Sequence, residues 1–173
     1  MKVLNGSLRT VSGTVLALLA MSRINMSLNF AGMGFEALMI LACYVLLAVA
    51  LFAGFRGAAA AGAVCGLLAR VTQAGGFSTV FNLIAHFRPT PGNLAILIQI
   101  LSYILLIACF AVKRNRILPP LTAIACLAGF LILPGMNGVL AQYTGSGTTV
   151  STFFYQVIAV PLTFITSAFV LGC

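Results

Sequence analysis

The chain has 173 residues, of which 62% are hydrophobic and only 6% are charged, and its mean hydropathy is +1.18. Soluble domains carry about 25% charged residues, and a soluble fold of this length has too little interior to hide so much apolar surface. The composition therefore excludes a water-soluble domain and indicates that lipid is the solvent. Nine basic residues and one acid give a net charge of +8, but the basic residues are scattered between apolar runs and form no face for nucleic acid.

The fold class follows from the way that lipid treats the backbone. Every backbone N–H and C=O group in a bilayer must be paired inside the protein, so a spanning chain is either helical or a closed barrel. Barrel strands alternate apolar and polar residues, whereas this sequence has long apolar runs. We therefore predict an all-α fold, a polytopic membrane helical bundle of about six transmembrane helices, in a single integral membrane domain over residues 1–173.

The first predicted span has the shortest apolar core. That core runs only from Val11 to Met21, and with Lys2 and Arg9 in front of it the segment resembles a signal peptide. Because Ala20 is followed by Met and Ser, a poor cleavage site, we expect a retained first helix. A span needs about 20 apolar residues, and five more are predicted over residues 35–55, 57–74, 92–112, 117–140 and 149–172.

Residues 75–91, between the third and fourth spans, form an amphipathic segment. Its apolar residues recur on one helical face, and they are Phe77, Val80, Phe81, Ile84 and Phe87. About three turns of helix are too short to cross a bilayer, so we predict a helix in the outer interface. A re-entrant half-helix and a separate span are the alternatives.

Basic residues at the ends of the spans predict the orientation. With a cytoplasmic N-terminus, six of them fall inside and three outside, in agreement with the positive-inside rule. The inner residues are Lys2, Arg9, Arg56, Lys113, Arg114 and Arg116, and the outer ones are Arg23, Arg70 and Arg88. We therefore predict a multi-pass protein of the cell inner membrane with both termini in the cytoplasm.

Small residues recur at every fourth position through the predicted third span. Gly54, Ala58, Gly62 and Gly66 share one helical face, and the last two form a GxxxG motif. Lipid gives helices no hydrophobic reason to associate, so they pack where small residues let their backbones approach closely. The stripe predicts that this span is the packing helix of the bundle. The alternative is that glycine and alanine are simply common in transmembrane helices.

One ion pair is predicted near the outer surface. Arg70 continues the stripe of small residues, so it should face protein, and an arginine at membrane depth normally finds a partner. Glu36, the only acid in the chain, opens the second span at the same depth. We therefore predict a structural pair between Glu36 and Arg70. The alternative is that Arg70 snorkels to the interface while Glu36 lies in water.

The titratable residues argue against an enzyme. A single carboxylate cannot provide the pair that many hydrolases use, and a Ser–His–Asp triad would have to combine His86 with Glu36. The five cysteines form no CxxC motif, and His86 is the only histidine. The sequence therefore predicts no catalytic residue, no metal site and no cofactor. A Cys–His pair that includes His86 is the remaining enzymatic alternative.

Neutral polar residues in the second half of the chain are the candidates for ligand binding. Amide and hydroxyl groups in hydrocarbon are costly unless they bond across helices or line a cavity. The predicted ligand-binding residues are Gln99, Tyr103, Asn137, Gln156 and Thr163. The alternative is that these groups form interhelical hydrogen bonds and only hold the bundle together.

In size and helix count the predicted bundle resembles the membrane-embedded substrate-binding subunits of energy-coupling-factor vitamin transporters. Gly13, Ala17 and Ala20 in the first helix are similar in kind to the small-residue motif by which those subunits dock their partner. No site residue is carried over from this resemblance, because it concerns size and helix count only.

The predicted function is transport. No carboxylate or histidine lies at mid-depth to couple a proton gradient, so we expect a substrate-binding or permease subunit for a small polar solute that relies on partner proteins. The alternative is a non-catalytic structural or assembly subunit of a larger membrane complex. The predicted partners are the lipid bilayer and other membrane proteins, and nucleic acid is not among them.

Overall fold

A computed structural model of the chain describes residues 2–28, 34–112, 115–133 and 158–172. This part of the chain is all-α, as the sequence predicts, and it contains seven helices. In chain order they are α1 (Lys2–Leu28), α2 (Phe35–Ala53), α3 (Arg56–Gln73), α4 (Phe77–Ala85), α5 (Pro91–Ala111), α6 (Leu118–Leu127) and α7 (Val160–Gly172), and α6 continues into a π-helical turn over Ala128–Ile132.

Local chemistry explains where several of these helices begin and end. Gly54 stops α2 with a φ of +72°, a left-handed conformation that glycine adopts at little cost. Thr90 caps α5 by accepting a hydrogen bond from the Asn93 N–H at 3.3 Å, and Pro91 follows in the first turn, where its missing N–H is not needed. Near α6, the Asn115 side-chain oxygen accepts from the N–H of Ile117 at 2.9 Å.

Six of the helices form a closed ring. Going round it, α1 packs against α2, α2 against α3, α3 against α5, α5 against α6 and α6 against α7, and α7 returns to α1. Helix α7 also contacts α5 and α2 across the ring. The centre is occupied by fully buried side chains from several of these helices, among them Leu16, Leu47, Leu51, Leu106 and Phe164.

Neighbouring helices in the ring run in opposite directions. The start of α1 meets the end of α2, since the Arg9 Nε donates to the Leu51 carbonyl at 2.9 Å. The start of α3 meets the end of α5 through Arg56, and Gly172 at the end of α7 lies beside Pro119 at the start of α6. We call this end of the ring the arginine end.

Two of the six predicted spans are matched by helices that are long and apolar enough to cross a membrane. Among the described residues, α2 and α5 are the helices long and apolar enough to cross a membrane. Their bounds lie within two residues of the predicted 35–55 and 92–112. The bounds of helix α3 agree as closely with the predicted 57–74. However, α3 is rich in alanine and glycine and carries Arg56 and Arg70, so its hydropathy is too low for it to count among the membrane-spanning helices.

The remaining predicted spans agree in part with the structure. The predicted apolar core from Val11 to Met21 lies inside the longer helix α1. Leu118–Ile132 and Val160–Gly172 are shorter apolar helices that fall within the predicted spans 117–140 and 149–172. Residues 134–140 and 149–157, which would complete those spans, lie outside the described residues.

Candidate functional site

The side chain of Gln99 forms a hydrogen bond within the protein. Its side chain is 8% exposed, and Nε2 donates to the Gly129 carbonyl of the π-helical turn at 2.6 Å. A Cβ atom on Gly129 would lie 3.0 Å from the backbone nitrogen of Gln99, so the backbones of α5 and the turn approach closely here. This geometry is that of an interhelical hydrogen bond, which uses one of the two donor hydrogens of the amide.

Tyr103 lies in an aromatic cluster. Its ring makes edge-to-face contacts with Phe130 and Phe164, at centroid distances of 6.1 Å and 5.5 Å, and those two rings lie 6.1 Å apart. Such edge-to-face arrangements stabilise aromatic packing beyond area burial alone. The three rings join α5, the π-helical turn and α7, so Tyr103 packs in the core between them.

The buried hydroxyls bond mainly to their own helices. Thr163, a predicted ligand residue, donates to the Val160 carbonyl at 2.8 Å, and Ser167 donates to the Thr163 carbonyl at 2.6 Å. The Thr122 hydroxyl lies 3.4 Å from the Cys109 sulfur and joins α6 to α5. Asn137 and Gln156, the other predicted ligand residues, lie outside the described residues.

The predicted pair between Glu36 and Arg70 is not formed in the described part of the chain. No ion pair joins them, and the Arg70 Nη1 donates to the Gln73 side-chain oxygen at 3.2 Å. A Cβ atom on Gly66 would lie 3.0 Å from the Cys43 sulfur, which fixes the register of these antiparallel helices. Arg70 is therefore level with position 39, about one helical turn short of Glu36, and it bonds within its own helix.

The stripe of small residues needs one correction. Gly54 is not part of α3, because its left-handed conformation ends α2, and a Cβ there would lie 2.7 Å from the Arg9 Nη2. Gly62 and Gly66 are buried, and Ala58 is half-buried. A Cβ on Gly62 would lie 3.1 Å from the Cys43 carbonyl oxygen. The close approach of α3 to α2 therefore depends on Gly62, while Gly66 lies between Tyr103 of α5 and Cys43 of α2.

Arg56 has a role that its sequence position does not indicate. Its Nη2 donates to the carbonyls of Cys109 at 2.8 Å and Val112 at 2.7 Å, at the end of α5. The last carbonyls of a helix lack intrahelical donors and carry partial negative charge, so an arginine is well suited to them. The sequence shows an arginine at this end of a span but not the helix that it caps.

A cleft at the other end of the ring provides a candidate binding site. It has a volume of about 330 Å³ and lies between the end of α3, helix α4 and the first turns of α5. Its polar lining is Thr79, Asn82, His86 and Asn93, and its apolar lining is Ala74, Val80, Leu83 and Ile96. None of the predicted ligand residues in the described ranges lines it.

Two of the four polar side chains that line this cleft bond within the protein, and two do not. Thr79 donates its hydroxyl to the Gly75 carbonyl at 2.9 Å, and Asn93 donates Nδ2 to the Arg88 carbonyl at 3.0 Å. No hydrogen bond among the described residues engages the side chains of Asn82 and His86. The arrangement can therefore hold a small solute through amide and imidazole hydrogen bonds. The polar side of the amphipathic segment was the sequence signal that could have indicated it.

The described residues hold no group of three or more His, Cys, Asp or Glu side chains that could bind a metal ion.

Comparisons of the chain with protein-family models, with curated proteins and with solved structures give no match.

Proposed function

We propose that the chain is a multi-pass protein of the cell inner membrane, with six spans and both termini in the cytoplasm. The main support is that most residues in its two most apolar helices, α2 and α5, are not buried inside the protein. Only 33% of the residues in the apolar window of α2 and 44% of those in α5 are buried. Valine, leucine, isoleucine and phenylalanine side chains on these helices therefore face outward, where lipid accommodates them and water does not.

The order of the helices also supports six spans. A closed ring of six helices with alternating directions brings the start of α1 and the end of α7 to the same arginine end. That end carries Arg9 and Arg56, in keeping with a cytoplasmic face. A reporter that is active only outside the cytoplasm, fused after Cys173, should therefore give no signal. An active reporter there would contradict the orientation.

Within the membrane we propose a transport function, as a substrate-binding or permease subunit for a small polar solute. The observation that carries this proposal is the cleft beside α4, with the unengaged side chains of Asn82 and His86 in its wall. The cleft opens at the end opposite the arginine end, which is the outer side in the proposed orientation. The chain has one acid, Glu36, in the first turn of α2, so we propose that partner proteins couple the energy.

The test is stabilisation of the purified chain by small polar solutes. A solute that binds only the folded protein stabilises it by about 2.7 kcal/mol at about 100 times its Kd. We expect one class of solute to raise the melting temperature of the parent chain and of Ser78→Ala, which is exposed outside the cleft. The same solute should have a much smaller effect on Asn82→Ala and His86→Ala. Equal stabilisation of all four proteins would exclude the cleft as the site.

The second candidate function is a non-catalytic structural or assembly subunit of a larger membrane complex. It is favoured by the hydrogen bonds of the core, where Gln99, Thr163 and Ser167 all bond to protein groups. Under this alternative the chain should co-purify with a defined set of membrane proteins, and no solute in the panel should stabilise it.

A further inference from the structure

Helix α4 has one face that packs on the bundle. Val80 is 8% exposed and lies against Val71 of the last turn of α3 and Ile100 of α5. Gly75 and Gly76, with φ angles of +96° and +92°, turn the chain between α3 and α4. These contacts place α4 alongside the end of the ring opposite the arginine end.

A second face of α4 is apolar and uncovered. Successive residues of a helix are about 100° apart, which puts Phe77, Phe81 and Ile84 within one narrow sector. Their side chains are 58%, 67% and 57% exposed. Ser78 and Asn82 are exposed on a third sector. Helix α4 therefore has three sectors: one packs on the bundle, and the two exposed sectors are apolar and polar.

Length and charge indicate what covers the apolar face. Nine residues of helix extend about 14 Å, less than half of the ~30 Å hydrocarbon core, so α4 cannot cross a bilayer. Residues 56–112 contain no Asp or Glu, while Arg88 and His86 are exposed just after α4. An apolar sector beside a basic side chain and away from acids complements a layer of anionic lipid headgroups over acyl chains.

We propose that α4 lies in the interface of a lipid bilayer, with Phe77, Phe81 and Ile84 in the upper acyl region and Ser78 and Asn82 toward water. The occupant of the apolar face is therefore lipid. Helix α5 also has exposed apolar side chains, among them Leu101 and Ile104, and in this arrangement they lie deeper in the acyl region than α4. This inference rests on the proposed membrane location and does not depend on solute binding.

The chain contains no tryptophan, so a single introduced indole reports on one position. Three variants place it on α4 and on α5: Phe81→Trp on the apolar sector, Ser78→Trp on the polar sector, and Leu101→Trp in the middle of α5. All three positions are exposed, so the substitutions should leave the packing intact. The full chain is reconstituted in vesicles of phosphatidylcholine and phosphatidylglycerol whose acyl chains are brominated at a shallow or a deep carbon.

The expected result is a graded pattern of quenching. Phe81→Trp should emit at shorter wavelength than Ser78→Trp and be quenched most by shallow bromines, whereas Leu101→Trp should be quenched most by deep ones. Ile84→Trp should repeat the behaviour of Phe81→Trp. Unquenched emission from Phe81→Trp, whether at long wavelength as in water or at short wavelength as under a protein partner, would overturn the inference.

Two further outcomes are also decisive. If Phe81→Trp is quenched most by deep bromines, as Leu101→Trp should be, α4 is a re-entrant helix and the interfacial placement is wrong. If Leu101→Trp itself is not quenched, the membrane location fails and the inference fails with it, whatever the solute tests show.

Discussion

The side-chain amide of Gln99 donates a hydrogen bond to the backbone carbonyl of Gly129, with 2.6 Å between Nε2 and O, and thereby joins α5 to the π-helical turn after α6. The Gly129 carbonyl belongs to the π-helical turn over Ala128–Ile132, in which backbone bonding shifts from i+4 to i+5. Gly129 permits the contact because any side chain there would press on the backbone of α5. The bond and the close backbone approach at Gly129 therefore both join α5 to this turn.

The first prediction concerns that hydrogen bond. Gln99→Met keeps the length of the side chain but removes the donor, so it should lower the free energy of unfolding by about 0.6–1.7 kcal/mol, from the average to the maximum measured for hydrogen bonds between membrane helices. Reversible unfolding in mixed micelles measures the change. The control is Leu101→Met on the exposed side of the same helix, which should be close to neutral. Equal stability of Gln99→Met and the parent chain would contradict the prediction.

The second prediction concerns the packing of α3 on α2. A Cβ atom on Gly62 would already lie 3.1 Å from the Cys43 carbonyl oxygen and from the Leu46 Cβ, so Gly62→Leu must push the two backbones apart. We expect a loss of about 1–3 kcal/mol, as for other overpacked cores. Ala61→Leu adds a large side chain one residue earlier, on the exposed side, and should be mild. Similar melting temperatures for the two variants would count against close packing at Gly62.

The third prediction concerns the cap that Arg56 provides for α5. Arg56→Met removes the donors to the Cys109 and Val112 carbonyls, and the last turn of α5 should fray. Because Arg56 is only half-buried, we expect a loss of about 1–2 kcal/mol, toward the low end for hydrogen bonds to charged groups. Hydrogen exchange of the amides near 108–112 should become faster in this variant. It should be unchanged in Arg88→Met, whose exposed side chain lies at the other end of α5.

The fourth prediction follows from the separation of Glu36 and Arg70. Since Arg70 bonds to Gln73 and not to Glu36, the effects of Glu36→Gln and Arg70→Gln on the free energy of unfolding should add within about 0.3–0.5 kcal/mol. A double-mutant cycle in nanodiscs measures the coupling. A coupling energy clearly above that limit would show that the two side chains interact in the bilayer.

Much of the helical framework could be predicted from the sequence. Composition determines the helical class, and the apolar runs determine the bounds of α2, α3 and α5 to within two residues. The spacing of Phe77, Val80, Phe81 and Ile84 predicts the short helix α4, although Phe87, counted with them, lies beyond its end at Ala85. These features are local, because helix formation depends on hydrophobic pattern and on capping residues such as Thr90 and Pro91 within a few positions of each other.

The partners of the polar residues were decided only by tertiary structure. Gln99 and Arg56 bond to carbonyls 30 and 53 or more positions away in the chain, and the candidate cleft combines Asn82 and His86 with Asn93. Which atoms meet depends on the rotation and the axial register of each helix. A register difference of about one turn separates Arg70 from Glu36, and a left-handed backbone removes Gly54 from the α3 stripe. Side-chain packing between helices sets the rotation and the axial register of each helix, and the residue pattern of a single span does not determine either of them.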